Sequence, residues 1–545
     1  MKKRINPYEL LIKDLIKTRA NNQKDLDCLK RKFSKKFEIS CPDNVSLLRT
    51  YHTLVKNKRI KESKILENLL KKRPVRSLSG IVNISVLTSP KPSWGKGKPY
   101  SCPGRCVFCP TEKEFPKSYL PGEPAAERAK SLGFDPFLQV SKRLEMLRAQ
   151  GHPTDKIELR IIGGTWSFYP KQYQTWFVKK CFQACNKKNS RPNPPTGGQS
   201  LKMAQRLNEG AENRIVGISI ETKPNFITKK EILRLRGLGV TLVELGVQTV
   251  FDDVLTKCKT DITIAQITRA TKLLKDAGFK ILYQVMPNLP GSNLKKDLKC
   301  FEILFEDEEF LPDWLKIYPC LVCKNSSLYQ WWKKGKYRPY SNKELVKLLV
   351  DIKKILPYWT RVTRLFRDIP APRIKAGSKL SNLREVVQKE LKQKGLACKC
   401  IRCREVRKDY SLKEKIYLFR KDYKSSGGKE IFLSFENKQR KKLFSFLRLR
   451  IPSFYFSKKS HFIKTLERAS IIREIQTFGM QVPISEKKLA PQHRGLGKKL
   501  IKKAERITKK EFGLKEIAVI SGIGVRMYYK NLGYQLKQTY MVKPL

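Results

Sequence analysis

The chain has 545 residues, enough for three or four domains with sizeable cores. At 40% hydrophobic content it falls outside the disordered class, and no apolar run approaches the roughly 18 residues that a membrane-spanning helix needs. The 115 Lys and Arg against 49 Asp and Glu leave a formal net charge of +66, an excess that calls for a polyanionic partner. Nucleic acid fits that excess first; an acidic membrane surface is the alternative, and a basic source proteome could contribute.

The N-terminus, MKKRINPYELLIKDLIK, is basic but has neither an apolar signal core nor a small-residue cleavage site, so a cytoplasmic protein without membrane association is expected. Residues 1–80 carry 22 Lys/Arg and 8 Asp/Glu, with helical spacing in PYELLIKDLIK and ESKILENLLKK. They read as a basic helical extension, either an RNA-binding arm or a solvated leader. Residues 81–370 alternate between β-branched runs (GIVNISVLT, IELRIIGGT, IVGISIET, LVELGVQT, ILYQVMPNLPG, WLKIYPCLV) and helical stretches such as IAQITRATKLLKDAG. That alternation predicts an α/β unit with a parallel sheet, open or closed into a barrel. Gly163, Gly164, Glu221 and Gln248 follow the strands, at the edge where such folds bind ligands. The Pro-, Gly- and Asn-rich stretch 186–213 reads as a mobile insertion. Residues 371–465 are strongly charged and read mainly as a linker carrying a metal site. Residues 466–545, with part of the preceding segment, read as a compact α/β domain.

Fourteen cysteines in a chain without secretion signals suggest metal or catalytic use rather than a disulfide scaffold. Cys28, Cys181 and Cys258 stand alone and are expected to be buried thiols, and the Cys320/Cys323 pair reads at least as well as ordinary strand-end cysteines. YSCPGRCVFCPTE is different: Cys102, Cys106 and Cys109 form C-x3-C-x2-C. Three thiolates at this spacing can hold a [4Fe–4S] cluster and leave one iron open. A structural zinc needs a fourth protein ligand, and none is near: the next histidine is His152 and the next cysteine Cys181. In CKCIRC, Cys398, Cys400 and Cys403 are dense enough for a structural zinc, with no evident fourth ligand. QHRGLGKKL places Gln492, Gly495 and Gly497 in a turn before a helix, where backbone N–H groups can meet a pyrophosphate.

The three-cysteine motif, followed by IIGGT, resembles the radical S-adenosylmethionine (SAM) superfamily, in which SAM binds the open iron and Gly163 and Gly164 match the glycine motif for its amino group. The turn at 492–500, with IAVISG and MYYKNLGY downstream, resembles the GNAT acetyltransferases and implies acetyl-CoA. The pairing, with RPVRSLSGI, GISIETKPNFI, LVELGVQTVFDDVL, MPNLPG, DWLKIYP and RLFRDIPAP, resembles the catalytic subunit family of Elongator from about residue 73 onward. The resemblance implies a partial (β/α) barrel fused to a GNAT-like domain. It implies a tRNA-modifying acyltransferase in which a SAM-derived radical takes hydrogen from the acetyl methyl and the resulting carbon adds to C5 of the wobble uridine, leaving a 5-carboxymethyl group. By motif, Cys102, Cys106 and Cys109 match the cluster ligands. Lys156, Glu474, Ile475, Gln476, Thr477, Leu496, Gly497, Lys498 and Tyr529 match acetyl-CoA contacts, with Tyr528 beside Tyr529 as the other candidate for the thioester. Departures are Gln284 and Gln476 where the family has histidines, and CPTE after the last cluster cysteine. Other readings are a protein lysine acetyltransferase with a structural cluster, and a tRNA-binding scaffold without activity. A homodimer or Elongator-like partner subunits are further possibilities.

Overall fold

The computed structural model describes residues 6–18, 20–71, 78–92, 101–187, 199–407, 410–411, 414–479 and 495–545. Four amphipathic helices come first: α1 (Pro7–Lys17), α2 (Gln23–Lys36), α3 (Asn44–Lys56) and α4 (Lys64–Leu70). Asn6, Asn22, Asp43 and Ser63 cap them by accepting from first-turn N–H groups. Their apolar faces close a separate core around Leu11, Leu26, Leu47, Tyr51 and Leu66.

The six anticipated strand runs all form: β1 (Val82–Leu87), β2 (Lys156–Ile162), β3 (Arg214–Thr222), β4 (Leu242–Gln248), β5 (Lys280–Val285) and β6 (Trp314–Ile317). A short ribbon pairs β7 (Val322–Cys323) with β9 (Ile374–Ala376), and between them in sequence β8 (Arg361–Arg364) adds a seventh strand to the main sheet. That sheet is parallel throughout, in the order β1-β2-β3-β4-β5-β6-β8, with β1 and β8 left as edges. It is a half-barrel rather than a closed barrel. Helices cover its outer face, which buries Ile84, Leu159, Ile218, Val243 and Ile281.

A second seven-stranded sheet comprises β10 (Tyr417–Ser425), β11 (Gly428–Glu436), β12 (Leu443–Ile451), β13 (Ala469–Thr477), β14 (Glu516–Val519), β15 (Gln535–Lys537) and β16 (Tyr540–Pro544). It is antiparallel except where β13 and β14 run parallel on either side of the helix Leu496–Phe512. Three of its strands come from 417–451, the segment that the sequence reading gave mainly to a linker. A second correction concerns 186–213. Residues 201–208 form a helix capped by Ser200, and Asn208 ties it to Asn186 (2.8 Å) and to the Ile215 N–H (2.8 Å). That part of the expected insertion is built into the domain; 188–198 lie outside the described residues.

The second sheet docks on the N-terminal edge of the half-barrel through buried ion pairs. Arg473 holds Asp313 (2.6 Å) and Arg450 holds Asp276 (2.6 Å) across the join, while within the second sheet Glu430 braces Arg473 (3.0 Å) and Arg450 (3.2 Å) and Glu474 braces Arg448 (2.8 Å). Backbones also approach closely: a Cβ on Gly522 would stand 2.0 Å from the Val216 carbonyl. Among the described residues no helix is long and apolar enough to cross a membrane.

Candidate functional site

The loop after β1 carries the three cysteines to the C-terminal edge of the half-barrel. Its anchor is Val107, buried with Val254, Leu289 and Leu328; the Val107 N–H donates to the Cys258 carbonyl (3.0 Å) and its carbonyl accepts from Leu328 (2.8 Å). With Val107 turned inward, Cys102, Cys106 and Cys109 line one cavity together with Gly164, Glu221, Gln248 and Lys316. The IIGGT turn shapes the wall. Gly163 and Gly164 have φ of 117° and 55°, and a Cβ on Gly164 would stand 1.8 Å from the Ser101 carbonyl. Only glycine lets the two loops meet here. Thr165 closes the join, its N–H donating to the Ser101 carbonyl (2.7 Å) and its hydroxyl to Cys102 Sγ (3.2 Å).

The thiols fit a multi-iron cluster better than one ion. Among the described residues only Cys398, Cys400 and Cys403 bring three ligand atoms within 4.8 Å of one another. A tetrahedral ion with metal–sulfur bonds of about 2.3 Å sets its sulfurs about 3.8 Å apart, a spacing that suits that second triad and not the first. Burial pushes the Cys109 thiol up to about 12 and raises Cys106, against the pull of nearby lysines. Thiolates in this setting need a bound cation.

Below the cysteines the lumen is polar. Burial alone would raise Glu221, but Lys316 overrides it and holds the carboxyl below its usual range. Glu221 accepts from Lys316 (3.1 Å), Gln284 (3.1 Å) and the Tyr119 hydroxyl (3.0 Å), and Lys316 also donates to Glu244. Gln248 ends β4 with φ of 69°, a strained conformation for a residue with a side chain. Lys316, Tyr119 and Arg367 line this space without having been singled out from sequence. The available signal was a lone lysine inside the apolar run WLKIYP.

The residues matched to acetyl-CoA lie at the opposite edge. Gly495 (φ 71°) caps the helix Leu496–Phe512. A Cβ on Gly497 would stand 3.3 Å from the Tyr528 hydroxyl, 3.8 Å from Ile475 Cδ1 and 4.0 Å from Thr477 Oγ1, so these four residues meet. Gln476 Nε2 donates to the Ser79 carbonyl (3.0 Å), which ties this turn to the N-terminal edge of β1. Lys156 begins β2 at that same edge, and burial lowers its pKa. Lys498 is exposed and Leu496 buried. Two of the matched residues turn their side chains elsewhere. Glu474 faces inward opposite Arg448 and also accepts from Trp314 Nε1 (3.3 Å), so its side chain is committed to the ion network. Tyr529 is buried in the second core against Tyr534, whereas Tyr528 keeps its hydroxyl at Gly497. Gln492 lies outside the described residues.

Cys398, Cys400 and Cys403 sit beside Lys353, whose Nζ is 3.5 Å from Cys403 Sγ. The nearby carboxylate Glu405 is taken by Arg361 (2.7 Å) and Arg402 (2.6 Å). Three thiolates and a neighbouring cation fit one zinc ion with its fourth position open to a ligand from elsewhere. Cys320, Cys323, Cys181 and Cys258 are buried thiols as expected; Cys28 is exposed.

Comparisons place these features among known proteins. The Radical SAM superfamily family model matches residues 99–300 and the Radical_SAM C-terminal domain matches residues 312–393. A tRNA uridine(34) acetyltransferase of Methanocaldococcus infernus is 44% identical over 498 residues, covering 89% of this chain and 89% of the relative. Elongator complex protein 3 of Homo sapiens is 34% identical over 566 residues, covering 99% of this chain and 98% of the relative. The solved structure of the archaeal Methanocaldococcus infernus Elp3 with an N-terminal deletion superposes with a TM-score of 0.72 at 40% identity, covering 86% of this chain and 100% of that one.

Proposed function

We propose, from the premise that the chain belongs to the family of tRNA uridine(34) acetyltransferases and Elongator complex protein 3, that it builds a 5-carboxymethyl group on the wobble uridine of tRNA from acetyl-CoA. It is a radical SAM enzyme of tRNA modification. The observation that carries the reading is the cavity at the C-terminal edge of the half-barrel, which the three thiols of the C-x3-C-x2-C loop share with Glu221, Gln248 and Lys316.

Cys102, Cys106 and Cys109 would hold a [4Fe–4S] cluster and leave one iron for SAM. When bound, the pair supplies one-electron cleavage of SAM and a carbon-centred radical. Gly163 and Gly164 let the IIGGT turn close against Ser101 beside the cysteines, where SAM would bind. Gln248, Glu221 and Lys316 line the space below, out of bulk water.

At the other edge, the N–H groups of the Gly495–Gly497 turn and the N-terminus of the following helix receive the pyrophosphate of acetyl-CoA. Lys156 adds positive charge at that edge, and Tyr528 donates to the thioester sulfur. The two edges are separated by the length of a strand, about 20 Å for six residues. The acetyl unit therefore crosses to the lumen, and the half-barrel interior is the direct route. Cys398, Cys400 and Cys403 would bind a structural zinc at the junction of the two sheets.

The protein acts in the cytoplasm, where unpaired cysteines persist. Its basic surface and N-terminal helices receive the tRNA backbone. Further subunits are proposed from the name of the Elongator relatives. Incubating the reduced, reconstituted protein with SAM, acetyl-CoA and tRNA, followed by nucleoside mass spectrometry, tests the reading. Carboxymethyluridine that depends on SAM, acetyl-CoA and Cys102 is expected. Lysine acetylation in its place would assign the chain to protein acetylation, and salt-sensitive tRNA binding without turnover would make it a scaffold.

A further inference from the structure

Gln284 on β5 and Lys316 on β6 are register partners, and both face the cavity. A single oxygen of Glu221 accepts from both, at 3.1 Å from Gln284 Nε2 and 3.1 Å from Lys316 Nζ. Glu244 accepts a second Lys316 proton, and Tyr119 holds the other Glu221 oxygen at 3.0 Å.

This bonding fixes what the pair presents to a ligand. An ammonium has three donors, and two are spent on carboxylates, leaving one. The Gln284 amide nitrogen is turned to Glu221, so its carbonyl oxygen faces away from that carboxylate, and among the described residues nothing donates to it. Burial opposes the charge on Lys316, but Glu244 and Glu221 hold the ammonium protonated. The lumen therefore offers one donor beside one acceptor, on adjacent strands.

Resting on the tRNA reading above, we propose that Gln284 and Lys316 discriminate uracil from cytosine in the base that enters the cavity. Lys316 donates to O4 and Gln284 accepts from N3–H. Cytosine presents an amino group and a bare ring nitrogen at those two positions, so donor meets donor and acceptor meets acceptor. A base must leave its stack to reach the lumen, and an extruded base is read along this same edge.

The test uses the full chain with its cluster reconstituted. Binding of an anticodon stem-loop RNA with uridine at the wobble position is measured beside the same RNA with cytidine, at one fixed salt concentration. The native protein is expected to prefer the uridine form about tenfold, the size of one well-made base-edge contact. Gln284→Leu is expected to bring the two affinities together, while SAM binding measured without RNA stays unchanged. Lys316→Met is expected to do the same wherever its melting curve shows a folded protein. A preference that survives Gln284→Leu overturns the assignment, as does a native protein that binds both forms equally. Loss of SAM binding with the preference intact overturns it too, by assigning the pair to the cofactor. If neither RNA outcompetes an unrelated hairpin, the tRNA reading itself fails and the pair's role falls with it.

Discussion

Tyr528 and Tyr529 are neighbours in sequence with opposite surroundings. Tyr528 points its hydroxyl at the glycine turn, and Tyr529 fills the second core. Tyr528→Phe is expected to slow thioester cleavage on the order of a hundredfold, the weight of one donor at a developing charge, with an unchanged melting temperature. Tyr529→Ala is expected to cost about 3–5 kcal/mol of stability, read by denaturant unfolding. The reverse pattern would return the thioester role to Tyr529. The second cysteine triad has its own measurement: Cys400→Ser is expected to abolish stoichiometric zinc in elemental analysis and lower the melting temperature. Which tyrosine turns inward was not legible in MYYK, because a short helix at a sheet margin shows no period long enough to assign a face. The gathering of Cys102, Cys106 and Cys109 at one cavity was legible, since their spacing keeps them on a single loop.

At the level of elements, the join between the two sheets is ionic. Arg448, Arg450 and Arg473 are essentially buried and carry Asp276, Asp313, Glu430 and Glu474 between them. Burial would raise the Asp313 carboxyl, but Arg473 and Arg448 hold it below the usual carboxylate range. Removing one member leaves the others charged in the interior, so Asp313→Ala is expected to destabilise by about 3–5 kcal/mol in chemical denaturation. Lys275, beside this network, is held down to about 7 by burial despite Glu430 and Asp313. Its unfolded value is about 10.4, so between these pH values the unfolded chain binds the extra proton and this group makes stability rise with pH. Lys275→Met should remove that rise, so the variant loses ground to the native protein as pH increases from neutral towards the unfolded value. The same arginines explain what sequence reading missed. LFSFLRLRI looks like a charged linker because buried strands are expected to be apolar, and the carboxylates that neutralise Arg448 and Arg450 lie far away in sequence or on another strand. The six strands of the half-barrel had no such disguise, whereas β8, four residues with an arginine at each end, is too short a pattern to read.

For the whole molecule, the proposed function rests on the net charge of +66 and on a half-barrel with the cysteine cavity at one edge and the glycine turn at the other. The helices α1–α4 close their own core, so removing residues 1–71 is expected to leave the two sheets folded. It should weaken tRNA binding and lower the slope of log affinity against log salt by about 0.7–0.9 for each phosphate no longer neutralised. An unchanged slope would mean that these helices do not touch RNA. Above all, the proposed function requires one chain to deliver an acetyl carbon from the glycine turn at one edge to radical chemistry in the lumen at the other. Acetyl-CoA deuterated in its methyl group tests this delivery most directly, with the reconstituted protein, SAM and tRNA, by mass spectrometry of both products. Deuterium is expected in the 5′-deoxyadenosine released from SAM and in the carboxymethyl group of the uridine. Unlabelled 5′-deoxyadenosine beside labelled acetyl-lysine would contradict it.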